Sequence, residues 1–97
     1  MTEPGDDIVV HDNPDLHRYE AVVDGKVAGF ALYERIDGLI AFVHTEVDEA
    51  YAGRGIATVL VQRSLDDVRS KDLTVRPVCP FYKEYFEKHP EYADLLT

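Results

Sequence analysis

Residues 39–58 read LIAFVHTEVDEAYAGRGIAT, and the order of residue types in this segment indicates the fold class. Its first five residues are apolar without interruption, which is typical of a central β-strand covered on both faces. A basic residue between two glycines, Gly53-Arg54-Gly55, follows the strand. A helical pattern begins directly after that turn. Strand, glycine-rich turn and helix in this order predict a βα unit whose turn is suited to an anion.

The segment after the glycines predicts the rest of this unit. Apolar residues recur there at three- and four-residue intervals, so we predict an amphipathic helix over Ile56–Ser70. Leu73–Val78 is a predicted strand, and Pro80–Lys88 is a second helix that begins with its proline. Because βαβ crossovers are right-handed, we expect strands Leu39–Val47 and Leu73–Val78 to be parallel.

The part of the chain before residue 39 predicts antiparallel strands. His17–Val23 and Lys26–Ile36 are each followed by an Asp-Gly pair, a strong signal for a two-residue hairpin. Ile8–His11 is expected to be a short edge strand. The complete pattern predicts an α/β fold. It has a mixed sheet of about five strands, an antiparallel meander followed by the βαβ unit, and helices on the sheet faces.

The strand over Lys26–Ile36 carries a glycine in its interior. Gly29 therefore predicts a bulge or a close approach of another backbone segment. The side chains that we expect to share one face of this strand are Ala28, Phe30, Leu32 and Ile36.

Length and composition predict a single globular domain over residues 1–97, with Met1–Asp7 as a flexible end. The net charge of −9 argues against binding to nucleic acid or to an anionic membrane. No apolar run approaches the ~20 residues that span a bilayer. Since Met1–Asp7 is acidic and Cys79 is the only cysteine, we expect no secretory leader, no internal disulfide and a cytoplasmic location.

The charges are unevenly distributed. Residues 1–24 carry seven acidic side chains and one basic one, whereas residues 51–79 carry five basic and three acidic ones. An anion is therefore expected to bind in the second segment. For Arg63, Arg69 and Lys71 we favour a solvated helix face, but Arg54 lies between the two glycines.

The turn Tyr51–Thr58 has the features that a pyrophosphate requires. Glycines let the backbone approach a ligand closely, and a helix N-terminus adds roughly half a positive charge. Arg54 supplies a full positive charge beside it. The alternative interpretation is an ordinary strand-to-helix turn.

Four short segments together resemble a known family. Gly53–Ala57 opening a helix, preceded by His44–Val47, is similar to the acyl-CoA-binding segment of the GNAT acyltransferase superfamily. Val78–Phe81 and His89–Tyr92 resemble a minimal subgroup of about this length. The resemblance covers residues 19–92 and implies a GNAT-like fold, acetyl-CoA or coenzyme A as the cofactor, and N-acetyltransferase activity.

The resemblance also implies how the cofactor is held. In the family the strand before the turn splays from its parallel partner and accepts the pantetheine arm, which implies a splay between Thr45–Val47 and Val78–Cys79. Main-chain N–H groups facing the thioester oxygen would stabilise charge that develops there. The implied cofactor-binding residues are Val47, Gly53, Arg54, Gly55, Ile56, Ala57 and Thr58.

Acyl transfer to an amine needs a group that takes a proton from the amine. His44 and Glu46 are two residues apart on one strand, so their side chains share a face. We expect that face to continue from Ile40 and Phe42, whose apolar surroundings would make Glu46 a better base. The alternative is a polar strand end that meets solvent.

Cys79 is expected to point to the same side as Leu73 and Val75, at the start of a helix, where a thiol can be activated. It is a candidate acyl-carrying nucleophile or a residue lining the thiol end of the cofactor. The alternative is an inert apolar residue.

Larger family members use a tyrosine on the following helix as the acid, and the matching position here is Phe86. Tyr85 is therefore our candidate acid. Tyr82, Phe81 and Phe86 are expected to be packing residues.

Two functions remain open from the sequence. The first is a small acetyltransferase that passes an acetyl group from acetyl-CoA to an unidentified amine. The second is a non-catalytic acyl-CoA-binding or protein-interaction module, favoured by the small size and by Phe86. The acidic residues 1–24 suggest a cationic acceptor, and the histidine spacing predicts no metal site.

Overall fold

The computed structural model describes residues 8–97, so the expectation for Met1–Asp7 lies outside the described residues. The described chain forms one five-stranded sheet in the order β1-β2-β3-β4-β5. The strands are β1 Ile8–Asn13, β2 Arg18–Val23, β3 Lys26–Ile36, β4 Leu39–Val47 and β5 Thr74–Pro77. The helices are α1 Ile56–Ser70 and α2 Pro80–Lys88, with short 3₁₀ helices over Pro14–Leu16, Glu49–Tyr51 and Pro90–Leu95.

The strand order confirms the predicted α/β topology. The first four strands pair antiparallel and β5 pairs parallel to β4, as expected for a meander followed by a βαβ unit. Both predicted helices have the expected bounds. Each hairpin turn carries an aspartate with positive φ, Asp24 (50°) and Asp37 (51°), which an Asp-Gly turn accommodates.

Both helices pack on the same face of the sheet. The Tyr82 ring of α2 stacks on Phe42 of β4 at a centroid distance of 4.0 Å, and Tyr19 of β2 donates a 2.6 Å hydrogen bond to Asp67 of α1. Ser64 joins the helices through a 2.7 Å hydrogen bond to the Tyr82 hydroxyl. The expectation that β4 is covered on both faces is therefore wrong. We call the sheet face opposite the helices the open face.

A bulge in β3 changes which side chains face the helices. Ala21 pairs with Gly29 while Val22 pairs with Val27, so Ala28 is an extra residue in β3. Beyond the bulge, Ala31 and Tyr33 are buried against the helices, and Phe30 and Leu32 lie on the open face. Of the side chains expected on one face, Phe30 and Leu32 do share a face, whereas the bulge puts the buried Ala28 on the other.

Gly29 makes the close approach that its position predicted. A Cβ atom at this residue would stand 2.9 Å from the Glu46 carbonyl oxygen and 3.3 Å from the Val47 side chain. The missing side chain therefore lets β3 and β4 keep their spacing where both strands approach the turn.

Candidate functional site

The predicted splay between β4 and β5 is present. Their pairing runs from Leu39 opposite Thr74 to Phe42 opposite Pro77 and then stops. The Phe42 carbonyl oxygen closes it by accepting hydrogen bonds from the N–H groups of Val78 (3.0 Å) and Cys79 (2.8 Å). Beyond this point β4 pairs with β3 alone among the described strands, which leaves one edge of residues 43–47 open.

A second bulge lies where the splay begins. Leu32 pairs with His44 while Tyr33 pairs with Phe42, so Val43 is an extra residue in β4. The bulge reverses the alternation of side chains along the strand. His44 and Glu46 therefore lie on the open face, opposite to Phe42, and the expectation of a shared apolar face is wrong.

The structure brings His44 and Glu46 together. Nε2 of His44 lies 3.0 Å from Oε1 of Glu46, and the two side chains are 53% and 59% exposed. This agrees with the alternative of a polar strand end that meets solvent. The pair can still exchange a proton, because its two atoms are within hydrogen-bond distance.

Cys79 contacts β4 from the side that faces the helices. It is buried, as expected from its alignment with Leu73 and Val75, and its Sγ donates a 3.3 Å hydrogen bond to Oγ1 of Thr45. Cys79 is also the residue that precedes α2. The sequence placed Thr45 at the splay but did not predict its contact with Cys79, because only the bulge at Val43 turns Thr45 toward the helices.

The turn before α1 presents free backbone donors. Gly53 and Gly55 have φ values of 79° and 73°, which favour glycine, and a Cβ at either would meet nothing within 4 Å. No side chain within residues 8–97 caps α1, and its first backbone hydrogen bond runs from Val59 N to Gly55 O. The N–H groups of Ile56, Ala57 and Thr58 are therefore not used inside the helix.

Arg54 is the charged side chain of this turn. Its guanidinium carbon lies 5.5 Å from the centre of the Tyr51 ring, and no carboxylate among residues 8–97 pairs with it. Arg69 and Lys71 form ion pairs with nearby carboxylates, and Arg63 donates to a backbone carbonyl. The other basic groups of α1 are thus held by the protein itself, away from the turn.

A groove between α1 and α2 adjoins the turn. It encloses about 190 Å³ and is lined by residues that include Ala57, Thr58, Phe81, Tyr85 and His89. The Tyr85 ring stacks on His89 at 4.1 Å, and burial raises the pKa of the Tyr85 hydroxyl.

Phe81 is half exposed along this groove, so the expectation that it is a packing residue is wrong. Tyr82 and Phe86 are buried packing residues, as expected.

The four candidate catalytic residues fall into three places. His44 and Glu46 lie on the open face, Cys79 contacts Thr45 on the helix side, and Tyr85 lines the groove. Within residues 8–97 no hydrogen bond joins Tyr85 to the His44–Glu46 pair or to the Cys79–Thr45 pair.

The described side chains also include no group of three or more His, Cys, Asp or Glu residues that could hold a metal ion. No described helix is long and apolar enough to cross a membrane.

Comparisons with known proteins agree with this geometry. The family described as GCN5-related N-acetyl-transferase matches residues 18–95. Protein NATD1 of Mus musculus is 38% identical over 68 residues, which are 67% of this chain and 62% of that protein. Protein NATD1 of Homo sapiens shows the same identity over 60% of its length. The chain therefore spans about 60% of the length of these curated relatives.

Two solved structures share the fold. A GCN5-like putative N-acetyltransferase from Staphylococcus aureus has a TM-score of 0.69 at 19% identity, covering 94% of this chain and 89% of that one. The ribosomal-protein-S18-alanine N-acetyltransferase from Escherichia coli has a TM-score of 0.57 at 18% identity, covering 62% of this chain and 39% of that one. Since the family match extends over most of this chain, the chain belongs to the GCN5-related N-acetyl-transferase family.

Proposed function

We propose that this protein is a small N-acetyltransferase that binds acetyl-CoA at the turn Tyr51–Thr58 and passes the acetyl group to an amine. The observation that carries the proposal is the uncapped start of α1 behind two glycines of positive φ. Three consecutive N–H groups and the Arg54 guanidinium are available there to a pyrophosphate. These donors fit a doubly charged anion, because helix N-termini and arginine both favour negative charge.

The open edge of β4 supports a place for the pantetheine arm. Residues 43–47 have no partner on the β5 side within the described sheet, and Val47 ends this edge directly before the turn. Main-chain groups of an unpaired strand edge can bind an extended ligand. Ile56 contributes only its backbone, because its side chain is buried. Ala57 and Thr58 connect the turn to the groove that contains Tyr85.

Acetyl-CoA, when bound, supplies an activated acyl group. The protein must then accept a proton from the amine, and the His44–Glu46 pair can do so and pass it to solvent. Tyr85 is the proposed proton donor in the groove. For Cys79 we propose that it lines the thiol end of the cofactor site beside Thr45. Because this cysteine is free, we also propose a reducing, cytoplasmic location for the protein.

A second candidate is a non-catalytic module that binds acyl-CoA. It is favoured by one observation, namely that Tyr85, Cys79 and the His44–Glu46 pair are not joined by hydrogen bonds among the described residues. Such a module would bind the cofactor without transferring its acyl group.

Two measurements on the full chain separate these functions. Calorimetric titration with acetyl-CoA should give saturable binding in the wild type and weaker binding in Arg54→Ala. Arg35→Ala is the matched control, because Arg35 is exposed at the far end of β3. Thiol release should then depend on an added amine. Binding without amine-dependent thiol release would favour the module, and no binding would contradict both candidates.

A further inference from the structure

The open face carries a second cavity, of about 530 Å³, at the ends of β3 and β4 that lie beside the turn. Its walls include Arg18, Val27, Gly29, Phe30, Glu46 and Asp48. Phe30 alternates with the buried Ala31, and Glu46 alternates with the buried Thr45, so both point away from the helices. The cavity is therefore separated by the sheet from the groove between α1 and α2.

Among the described residues that line this cavity the cation is Arg18, and its charge is already neutralised. The Arg18 guanidinium lies 4.5 Å from the centre of the Phe30 ring and is held by Glu20 at 2.7 Å. Glu20 is only 5% exposed and also accepts a 3.2 Å hydrogen bond from Asn13. Because this buried pair fixes the guanidinium against the ring, Arg18 offers no free charge to an anionic ligand.

The remaining charges of the cavity are negative. Glu46 stands beside Phe30 as its cross-strand partner and is 59% exposed at its side chain. Asp48 uses Oδ1 to accept a 2.9 Å hydrogen bond from Ala50 N, which leaves its second oxygen outside that bond. Glu46, which also lies 3.0 Å from Nε2 of His44, and Asp48 favour a positively charged ligand, and Val27 and Phe30 offer apolar contact to its chain.

We propose that this cavity binds the acceptor as a primary ammonium group on an unbranched aliphatic chain. Glu46 and Asp48 pair with the ammonium, and Val27 and Phe30 contact the chain. The proposal rests on the proposed function, because the acceptor matters only if the splay holds acetyl-CoA. It assigns the acceptor to the open face and the cofactor to the turn and the open edge of β4.

The transfer of the acetyl group to the amine conserves atoms and charge. The ammonium gives one proton to the His44–Glu46 pair, and the freed nitrogen lone pair forms a C–N bond to the acetyl carbon as the C–S bond breaks. Tyr85 donates a proton to the departing thiolate, and the second nitrogen proton restores the Tyr85 hydroxyl. The products are the N-alkylacetamide, coenzyme A and one proton, with no oxidant or reductant required.

Binding is measured without turnover by two-dimensional NMR of the full chain. Butane-1,4-diamine represents a free diamine, and Nα-acetyl-lysine methylamide represents a lysine side chain. Both should shift the amide signals of Gly29, Phe30 and Glu46. The ligand that binds more tightly then indicates whether the acceptor is a free diamine or a lysine side chain. Butyrate, which has a similar chain and the opposite charge, should shift none of them.

The matched variants are Glu46→Gln and Glu34→Gln, which change the net charge equally. Glu34 is exposed at the far end of β3, away from the cavity. Glu46→Gln should weaken diamine binding about tenfold, since one charge-assisted contact is lost, and Glu34→Gln should leave it unchanged. Equal weakening in both variants, or shifts with butyrate, would overturn the proposal.

A separate titration with coenzyme A keeps the two proposals apart. If coenzyme A shifts the turn but neither amine shifts the cavity, the acceptor site is wrong and the proposed cofactor site stands. If the amines bind in the cavity but coenzyme A does not bind, the ammonium site stands and the acetyltransferase function fails.

Discussion

Sγ of Cys79 lies 3.3 Å from Oγ1 of Thr45, across the point where β4 and β5 separate. Both residues are buried, so this contact is shielded from solvent on the helix side of the splay. The two strands are no longer paired through their backbones there. The thiol and the hydroxyl therefore connect the start of α2 to the part of β4 with an open edge.

Replacing Cys79 by alanine should lower the free energy of unfolding by about 1–2 kcal/mol, because a buried sulfur and its contacts are lost. Urea denaturation measures this change. Amine acetylation should be largely retained, since we propose only a lining role. Thr45→Val is the control for the hydrogen bond alone, because it keeps the side-chain size at residue 45 and removes the acceptor of the Cys79 thiol. Lost turnover in Cys79→Ala, together with an acetyl adduct on the wild-type protein, would instead identify Cys79 as the acyl carrier.

Glu20 should make the stability depend on pH in the acidic range. Burial alone would raise the pKa of this carboxyl group, but hydrogen bonds from Arg18 and Asn13 outweigh it and hold the pKa below the usual 4.5. The folded state therefore binds this proton less readily than the unfolded state. Its stabilisation is complete above pH 4.5 and is lost as the pH falls through the lower folded-state pKa.

The variant Glu20→Gln tests this dependence. At pH 7 it should be less stable by about 1–3 kcal/mol, because the half-buried Arg18 loses its charged partner. The loss of stability between pH 5 and pH 3 should be smaller than in the wild type, as measured by thermal unfolding at each pH. An identical pH profile for the two proteins would show that Glu20 does not contribute.

Gly29→Ala should destabilise the sheet by about 1–3 kcal/mol, since the new Cβ would stand 2.9 Å from the Glu46 carbonyl oxygen and the backbone must shift. Gly38→Ala is the matched control, because a Cβ there meets nothing within 4 Å. Chemical denaturation of both variants provides the comparison. Equal stability of the two variants would contradict the close approach of β3 and β4.

The regular part of the fold follows from local pattern. The apolar period of Ile56–Ser70 predicted the helix with correct bounds, and the two Asp-Gly pairs predicted both hairpin turns at their correct positions. Gly29 predicted a bulge or a close approach in β3, and the bulge lies at the adjacent Ala28, but no residue signalled the bulge at Val43. Each bulge inserts one residue whose side chain is chemically ordinary, yet it reverses every later side chain of the strand.

The second bulge explains the main error at the site. Without it, Glu46 would share the face of Phe42 and be buried, and Thr45 would point away from the helices. With it, Glu46 is exposed and Thr45 meets Cys79. The turn Gly53–Thr58 was predictable because its glycines have a backbone requirement that is visible in the sequence, namely a positive φ.

Arg54→Ala should weaken coenzyme A binding about tenfold and reduce its dependence on salt, because one charge-assisted contact to the pyrophosphate is removed. Calorimetry at low and high sodium chloride measures both effects. Arg35→Ala should retain the salt dependence of the wild type. If Arg35→Ala and Arg54→Ala behave alike, the effect comes from net charge and not from the turn.

The most direct test of the cofactor site uses variants of two glycines that have nearly the same φ. Gly53 and Gly25 have φ values of 79° and 78°, and a Cβ at either meets nothing within 4 Å. Valine should therefore strain both turns similarly, but only Gly53→Val places a side chain where the phosphates are proposed to bind.

The measurement is an NMR titration of the wild type, Gly53→Val and Gly25→Val with coenzyme A. We expect the amide signals of Gly53–Thr58 to shift in the wild type and in Gly25→Val. They should stay unchanged in Gly53→Val, although its spectrum remains that of a folded protein. Shifts confined to residues distant from this turn, or equal binding by a folded Gly53→Val, would contradict the proposed cofactor site.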